Sequence, residues 1–212
     1  MKKIYICLIV AVLQSFCAIS AIAQSVTINE ITYSLFGDSV VVDDAHDAIV
    51  TAEILPFVTF DEIEYPVKVI RGWAFSGCNE LTSVTIPQGI TEIGNYAFDF
   101  CRKLTTVKTP ESLVTIGLGA FGGCSSLTSF TIPEGVTLID DYTFSGCSGL
   151  ASITIPEGVI SIGQSAFSDC SSLTSITISE GVISIGANAF DCCKSISSIT
   201  IPKSVTTIAT IL

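Results

Sequence analysis

Apolar residues return along this chain on a fixed beat. Phe75, Phe98, Phe121, Phe144, Phe167 and Phe190 stand 23 residues apart, as do Cys78, Cys101, Cys124, Cys147, Cys170 and Cys193. Leu81, Leu104, Leu127, Leu150 and Leu173 keep the same spacing, with Ile196 as the sixth member, and Ile70, Ile93, Ile116, Ile139, Ile162, Ile185 and Ile208 form another column. Within one period, LTSVTIP (Leu81 to Pro87) alternates: Val84 and Ile86 read as inward, Ser83 and Thr85 as outward, which predicts a short strand. Proline ends that strand because it cannot donate to the ladder. A glycine two residues on (Gly89, Gly135, Gly158, Gly181) supplies a turn. Ala97 and Cys101, four apart around Phe98, predict one short helical turn before the next strand.

A constant period in the twenties predicts a repeat solenoid, because one such coil cannot bury its own apolar face. Each conserved letter then stacks on its copy in the coils above and below, with parallel strands roughly 4.8 Å apart. Burial contributes about 1.5–3 kcal/mol per large apolar side chain, against ordering costs of about 1–2 kcal/mol per backbone residue. Neighbouring coils are therefore obligatory.

The pattern LxSVTIPxGVxxIGxxAFxxC, carried from Ile70 to Ile208, resembles the BspA-like leucine-rich repeats of bacterial and protozoan surface proteins. That resemblance implies a right-handed leucine-rich-repeat coil with a parallel β-sheet. It also implies secretion or surface display, and binding or adhesion to host or matrix proteins such as fibronectin and fibrinogen.

Three segments are expected. Residues 1–23 read as a signal peptide: Lys2 and Lys3 precede an apolar run from Ile4 to Ala23, which closes on Ala21-Ile22-Ala23, so cleavage is expected between Ala23 and Gln24. Residues 24–69 lack the repeat. Ile31, Tyr33 and Leu35 alternate, Gly37-Asp38 offers a turn, and Val40 and Val42 alternate again, which predicts a β-hairpin; a second is expected around Phe60 to Val67. Both would cap the N-terminal end of the stack. Residues 70–212 are the repeats, expected to close on the strand ISSITIP without a C-terminal cap.

Composition narrows the function. Hydrophobic residues make up 49% of the chain and charged residues 14%, enough to bury one substantial core. Without Lys2 and Lys3, seven basic residues face 20 acidic ones, a net charge near −13. Such a surface repels phosphate, so nucleic acid is not an expected partner. The single histidine, His46, lies in DDAHD with Asp43, Asp44 and Asp47 and reads as a solvated loop of the cap. No nucleophile elbow or phosphate loop is present, so no enzyme and no cofactor are expected. The cysteine column reads as a reduced, buried ladder, with Cys192 as the more reactive thiol.

Two surface stripes remain. The outward strand positions Ser83/Thr85, Thr106/Lys108, Ser129/Thr131, Ser152/Thr154, Ser175/Thr177 and Ser198/Thr200 form a hydroxyl-rich face, and the sheet of a repeat protein is its usual broad binding surface. Beside it Glu111, Glu134, Glu157 and Glu180 form an acidic stripe. Trp73, in the column of Tyr96 and Tyr142, is expected to cover apolar surface, with sugar stacking as the other reading. The expected function is a secreted or cell-surface binding module that meets a protein or other macromolecule outside the cell through its sheet. The alternative is a structural element that self-associates end to end through its last coil.

Overall fold

The computed structural model describes residues 24–209. The signal-peptide reading, with Ala23, lies outside them. Strands β1 (Ser25–Ile28), β2 (Ile31–Phe36) and β3 (Ser39–Ala45) pair antiparallel in sequence. Their turns use left-handed residues: Asn29 and Glu30 (φ 49° and 69°), then Gly37 (φ 65°), the hand that matches strand twist. β4 (Thr51–Glu53) follows, and β5 (Phe57–Phe60) pairs antiparallel with β6 (Ile63–Ile70) across Asp61 and Glu62, both left-handed. β3 pairs parallel with β6, and β6 then pairs parallel with the two-residue strand Glu92–Ile93 of the next coil. The antiparallel segment thus runs directly into the stack.

From there four of the six coils contribute two short parallel segments, and two contribute only the second. One carries the alternating Ser/Thr positions: β4, Ser83–Thr85 and Thr106–Lys108 form one sheet, and Ser152–Ile155 pairs with Ser175–Ile178 in another. The second segment was not expected from sequence. It falls on the Ile93 column, as Glu92–Ile93 with Thr115–Ile116, and as Leu138–Ile139, Ser161–Ile162, Ser184–Ile185 and Thr207–Ile208.

The first sheet is interrupted where a strand was predicted. Ser129 retains only a single bridge to Ser152, and Thr131 lies in irregular backbone. This is the coil in which Phe130 takes the place of Val84, Val107, Ile153 and Ile176. Its ring packs at steep angles on Phe121 (4.9 Å) and Phe144 (5.0 Å), so this coil holds a larger inward side chain than the ladder holds elsewhere. Ser198 and Thr200 also lie outside any strand, so ISSITIP does not extend the sheet.

The interior is one continuous core. Phe75, Phe98, Phe121, Phe144, Phe167 and Phe190 form a single file, with ring centroids 4.8 to 5.7 Å apart and planes within 13° of parallel. That spacing follows from the strand repeat, and the offset rings stay within the favourable range for aromatic pairs.

The predicted helical turn is corrected. No helix occurs among the described residues. Successive N–H groups instead alternate between two partners. Ala74, Ser76 and Cys78 donate three residues back, to Arg71, Trp73 and Phe75; Trp73, Phe75 and Gly77 donate to Asn95, Ala97 and Asp99 of the next coil. A helix would keep every such bond inside the segment. The alternation requires two left-handed residues per coil. One column is Trp73, Tyr96, Gly119, Tyr142, Ser165 and Asn188; the other is Gly77, Phe100, Gly123, Gly146, Asp169 and Cys192. All twelve have φ between 51° and 75°.

Candidate functional site

The alternating strand places one side chain in and the next out. Val84, Val107, Ile153 and Ile155 are buried, while Thr85, Thr106, Lys108, Ser152, Thr154, Ser175 and Thr177 are exposed and Ser83 is half-buried. The outward residues stack in register: Ser83 beside Thr106, Thr85 beside Lys108, Ser152 beside Ser175, and Thr154 beside Thr177. Ser129, Thr131, Ser198 and Thr200 are exposed too, but on irregular backbone. The hydroxyl face is therefore two ordered patches separated by the Phe130 coil.

Two kinds of hydroxyl line this region. Thr82, Thr105 and Thr174 donate to the backbone carbonyls of Val50, Thr82 and Ala151 in the preceding coil (2.9 to 3.1 Å), tying coil to coil. Among the described residues, the hydroxyls of Thr85, Ser152, Thr154, Ser175 and Thr177 make no such bond. They remain available to a partner.

The acidic stripe is exposed throughout. Glu180 accepts from the backbone N–H groups of Lys203 (3.4 Å) and Ser204 (3.1 Å) in the following coil, so it also serves the backbone. Glu111 and Glu134 flank a shallow depression lined by Thr131, Ile132, Pro133 and Gly135.

The cysteine column is interior and its thiols are free. Five of the six Sγ–H groups donate to the carbonyl of the phenylalanine in the preceding coil: Cys101 to Phe75 (3.0 Å), Cys124 to Phe98 (3.2 Å), Cys147 to Phe121 (3.2 Å), Cys170 to Phe144 (3.2 Å) and Cys193 to Phe167 (3.1 Å), while Cys78 donates to the carbonyls of Ala45 (4.0 Å) and His46 (3.9 Å). Burial pushes the Cys78 thiol up to about 11, helped by Asp47 and Asp44, and the Cys147 thiol up to about 12. Cys192 is exposed, yet the neighbouring Asp191 carboxylate raises its pKa and accepts its S–H at 3.6 Å. It is the accessible thiol of the set but is not activated by its surroundings.

His46 is exposed, and its Nδ1 accepts from the Ala48 N–H at 3.2 Å. Among the described residues no group of three or more His, Cys, Asp or Glu side chains is placed to hold a metal ion. No helix among them is long and apolar enough to cross a membrane.

The turn side carries an aromatic group that sequence reading identified only in part. Trp73 is 58% exposed and stacks on Tyr96 at 4.3 Å, so it covers one ring rather than a broad apolar surface. A Cβ on Gly119 would meet the Tyr96 ring at 2.5 Å, and one on Gly123 would meet the Phe100 ring at 2.6 Å, so each ring lies against glycine backbone in the next coil. The Arg102 guanidinium sits over Phe100 at 5.4 Å. Phe100 was missed. Its signal was an aromatic interrupting the otherwise small or polar column of Gly77, Gly123 and Gly146.

The sequence matches the BspA type leucine rich repeat region, in six copies, over residues 57–152 and 137–211. No curated protein matches the chain. Among solved structures, a leucine rich cell surface protein from Faecalibacterium prausnitzii is 34% identical with a TM-score of 0.80, covering 87% of this chain and 50% of its own. A leucine-rich repeat protein from Eubacterium ventriosum (24% identity, TM-score 0.75, covering 90% and 49%) shares the fold. So does the Treponema pallidum leucine rich repeat protein (23%, 0.62, covering 82% and 91%). This chain spans about half the length of the Faecalibacterium protein. With six repeat copies matched in register and one interior file of phenylalanines, the chain belongs to the BspA type leucine rich repeat family.

Proposed function

We propose that this protein is a non-catalytic binding module, secreted or displayed at the cell surface, that adheres to a protein partner through the outward face of its repeat sheet. One observation carries the reading: the hydroxyls of Thr85, Ser152, Thr154, Ser175 and Thr177 stand exposed, in register and without a bond among the described residues, while adjacent Thr82, Thr105 and Thr174 are bonded. Such a face offers many weak polar contacts over a broad area and no pocket, as repeat proteins commonly do. The acidic stripe Glu111, Glu134, Glu157 and Glu180 borders it and favours a partner with basic groups. The kinship with a cell surface protein and the A-x-A sequence at Ala21–Ala23 support the extracellular setting. In this reading the antiparallel strands β1–β3 and β5–β6 act as the N-terminal cap.

The test is retention on immobilised matrix proteins, fibronectin and fibrinogen, of the wild type and a variant combining Thr131→Arg, Thr154→Arg and Thr177→Arg. Three arginines on the hydroxyl face should reduce retention at least about tenfold with the melting temperature unchanged. Undiminished retention rejects the sheet as the contact.

A second reading, end-to-end self-association, is favoured by the last described coil. Phe190, Ile196, Ile199 and Val205 are only partly buried there, and Ile201 and Ile208 are exposed. Light scattering decides it: a mass that grows with concentration supports association, and a constant monomer mass excludes it.

A further inference from the structure

The left-handed column through Trp73 carries an inference independent of the sheet. Its other coils fill that backbone position with Gly119 and Asn188, to which a positive φ costs little, and with the small Ser165. Here it holds Trp73 (φ 68°), Tyr96 (φ 57°) and Tyr142 (φ 57°), and the second column holds Phe100 (φ 55°). A bulky residue in this region is a backbone outlier. Burial does not offset it, because Trp73 is 58% exposed, Phe100 51% and Tyr142 39%. Tyr96 and Phe100 recover packing against Gly119 and Gly123 in the next coil, which leaves Trp73 as the strained ring with the least burial and points to a contact it makes with something else.

Trp73 is the ring with an open face. Tyr96 covers one side at 4.3 Å and 22°, and more than half of the residue remains in solvent. Arg71 opens the same turn, its carbonyl accepting from the Ala74 N–H. The Arg71 guanidinium bonds Asp43 Oδ1 at 2.6 Å and lies 5.8 Å from the centre of the Phe36 ring, itself 66% exposed. The residues that lead into the Trp73 turn thus carry an exposed ring, a half-exposed fork of five N–H donors and a carboxylate that also accepts from the Ser34 hydroxyl at 2.8 Å.

We propose that Trp73, together with Arg71 two residues before it in the chain and the Asp43 that Arg71 pairs with, forms a carbohydrate site for a gluco-configured pyranose. Such a sugar has a C–H face that lies flat on an aromatic ring and equatorial hydroxyls directed outward, where a guanidinium donates and a carboxylate accepts.

Trp73 is the only tryptophan of the chain, so its emission reports the site directly. Titration of the full chain with cellohexaose should give a saturable blue shift, with an equal concentration of sorbitol giving none. Trp73→Asn should abolish calorimetric binding while the melting temperature holds or rises, since asparagine tolerates the left-handed backbone. Arg71→Gln, which keeps the fluorophore, should weaken binding at least about tenfold. Absence of a saturable shift overturns the proposal, as does unchanged affinity in either variant. A shift produced by fibronectin but not by cellohexaose also overturns it and assigns the rings to a protein contact. Retention through the sheet is scored with the arginine variants, so either reading can fail without the other.

Discussion

At the residue scale, position in the coil decides what each side chain can do. Phe144 is fully buried between Phe121 and Phe167, with Phe130 on its edge. Phe144→Ala should cost about 3–5 kcal/mol in denaturant unfolding, because two neighbouring coils hold the space open. Cys192 gives the opposite case, since its thiol is exposed but Asp191 disfavours the thiolate. Iodoacetamide at neutral pH should modify Cys192 more slowly than a free cysteine peptide, and Asp191→Asn should accelerate it; the buried column should react only after unfolding. The phenylalanine and cysteine columns were legible because an interior file admits little variation in size. Phe130 was not, since it sits at an apolar position of an apolar pattern and reveals itself only by interrupting a ladder.

At the element scale, the turn shows how one spacing serves two structures. Ala97, Phe98 and Cys101 satisfy helical periodicity, but three-residue turns bring the same side chains inward. The deciding groups, the acceptors on Asn95, Ala97 and Asp99 for the N–H groups of Trp73, Phe75 and Gly77, lie 22 residues downstream and leave no local trace. The two-residue strand on the Ile93 column was hidden for the same reason. The hydroxyl face was legible as residues and direction, whereas the gap at Ser129 and Thr131 was not. Left-handed positions make a prediction of their own. Gly146→Ala, at φ 73°, should lower stability by about 1–2 kcal/mol, and Ser165→Gly, at φ 51°, should not lower it; paired thermal melts check both signs.

At the scale of the whole molecule, the thiol file couples stability to pH. Burial raises Cys78 to about 11 and Cys147 to about 12 from 9.0, and raises Cys101, Cys124 and Cys170 as well. Folded thiols then keep protons that the unfolded chain releases. Their contribution is intact below pH 9 and is lost as the pH rises through the folded values. Melting temperature should be flat from neutral pH to pH 9 and fall above it. Cys147→Ala should make that fall shallower, by about 1.4 kcal/mol for each pH unit between 9 and 12.

The alternating N–H partners of the turn also govern how the chain can change in length. Adding or removing one residue in that segment exchanges every donor's partner, aiming axial groups sideways and sideways groups along the axis. A block of 23 residues leaves all of them in phase. Genetic gain or loss of material should therefore be tolerated in whole coils and punished in fragments of one.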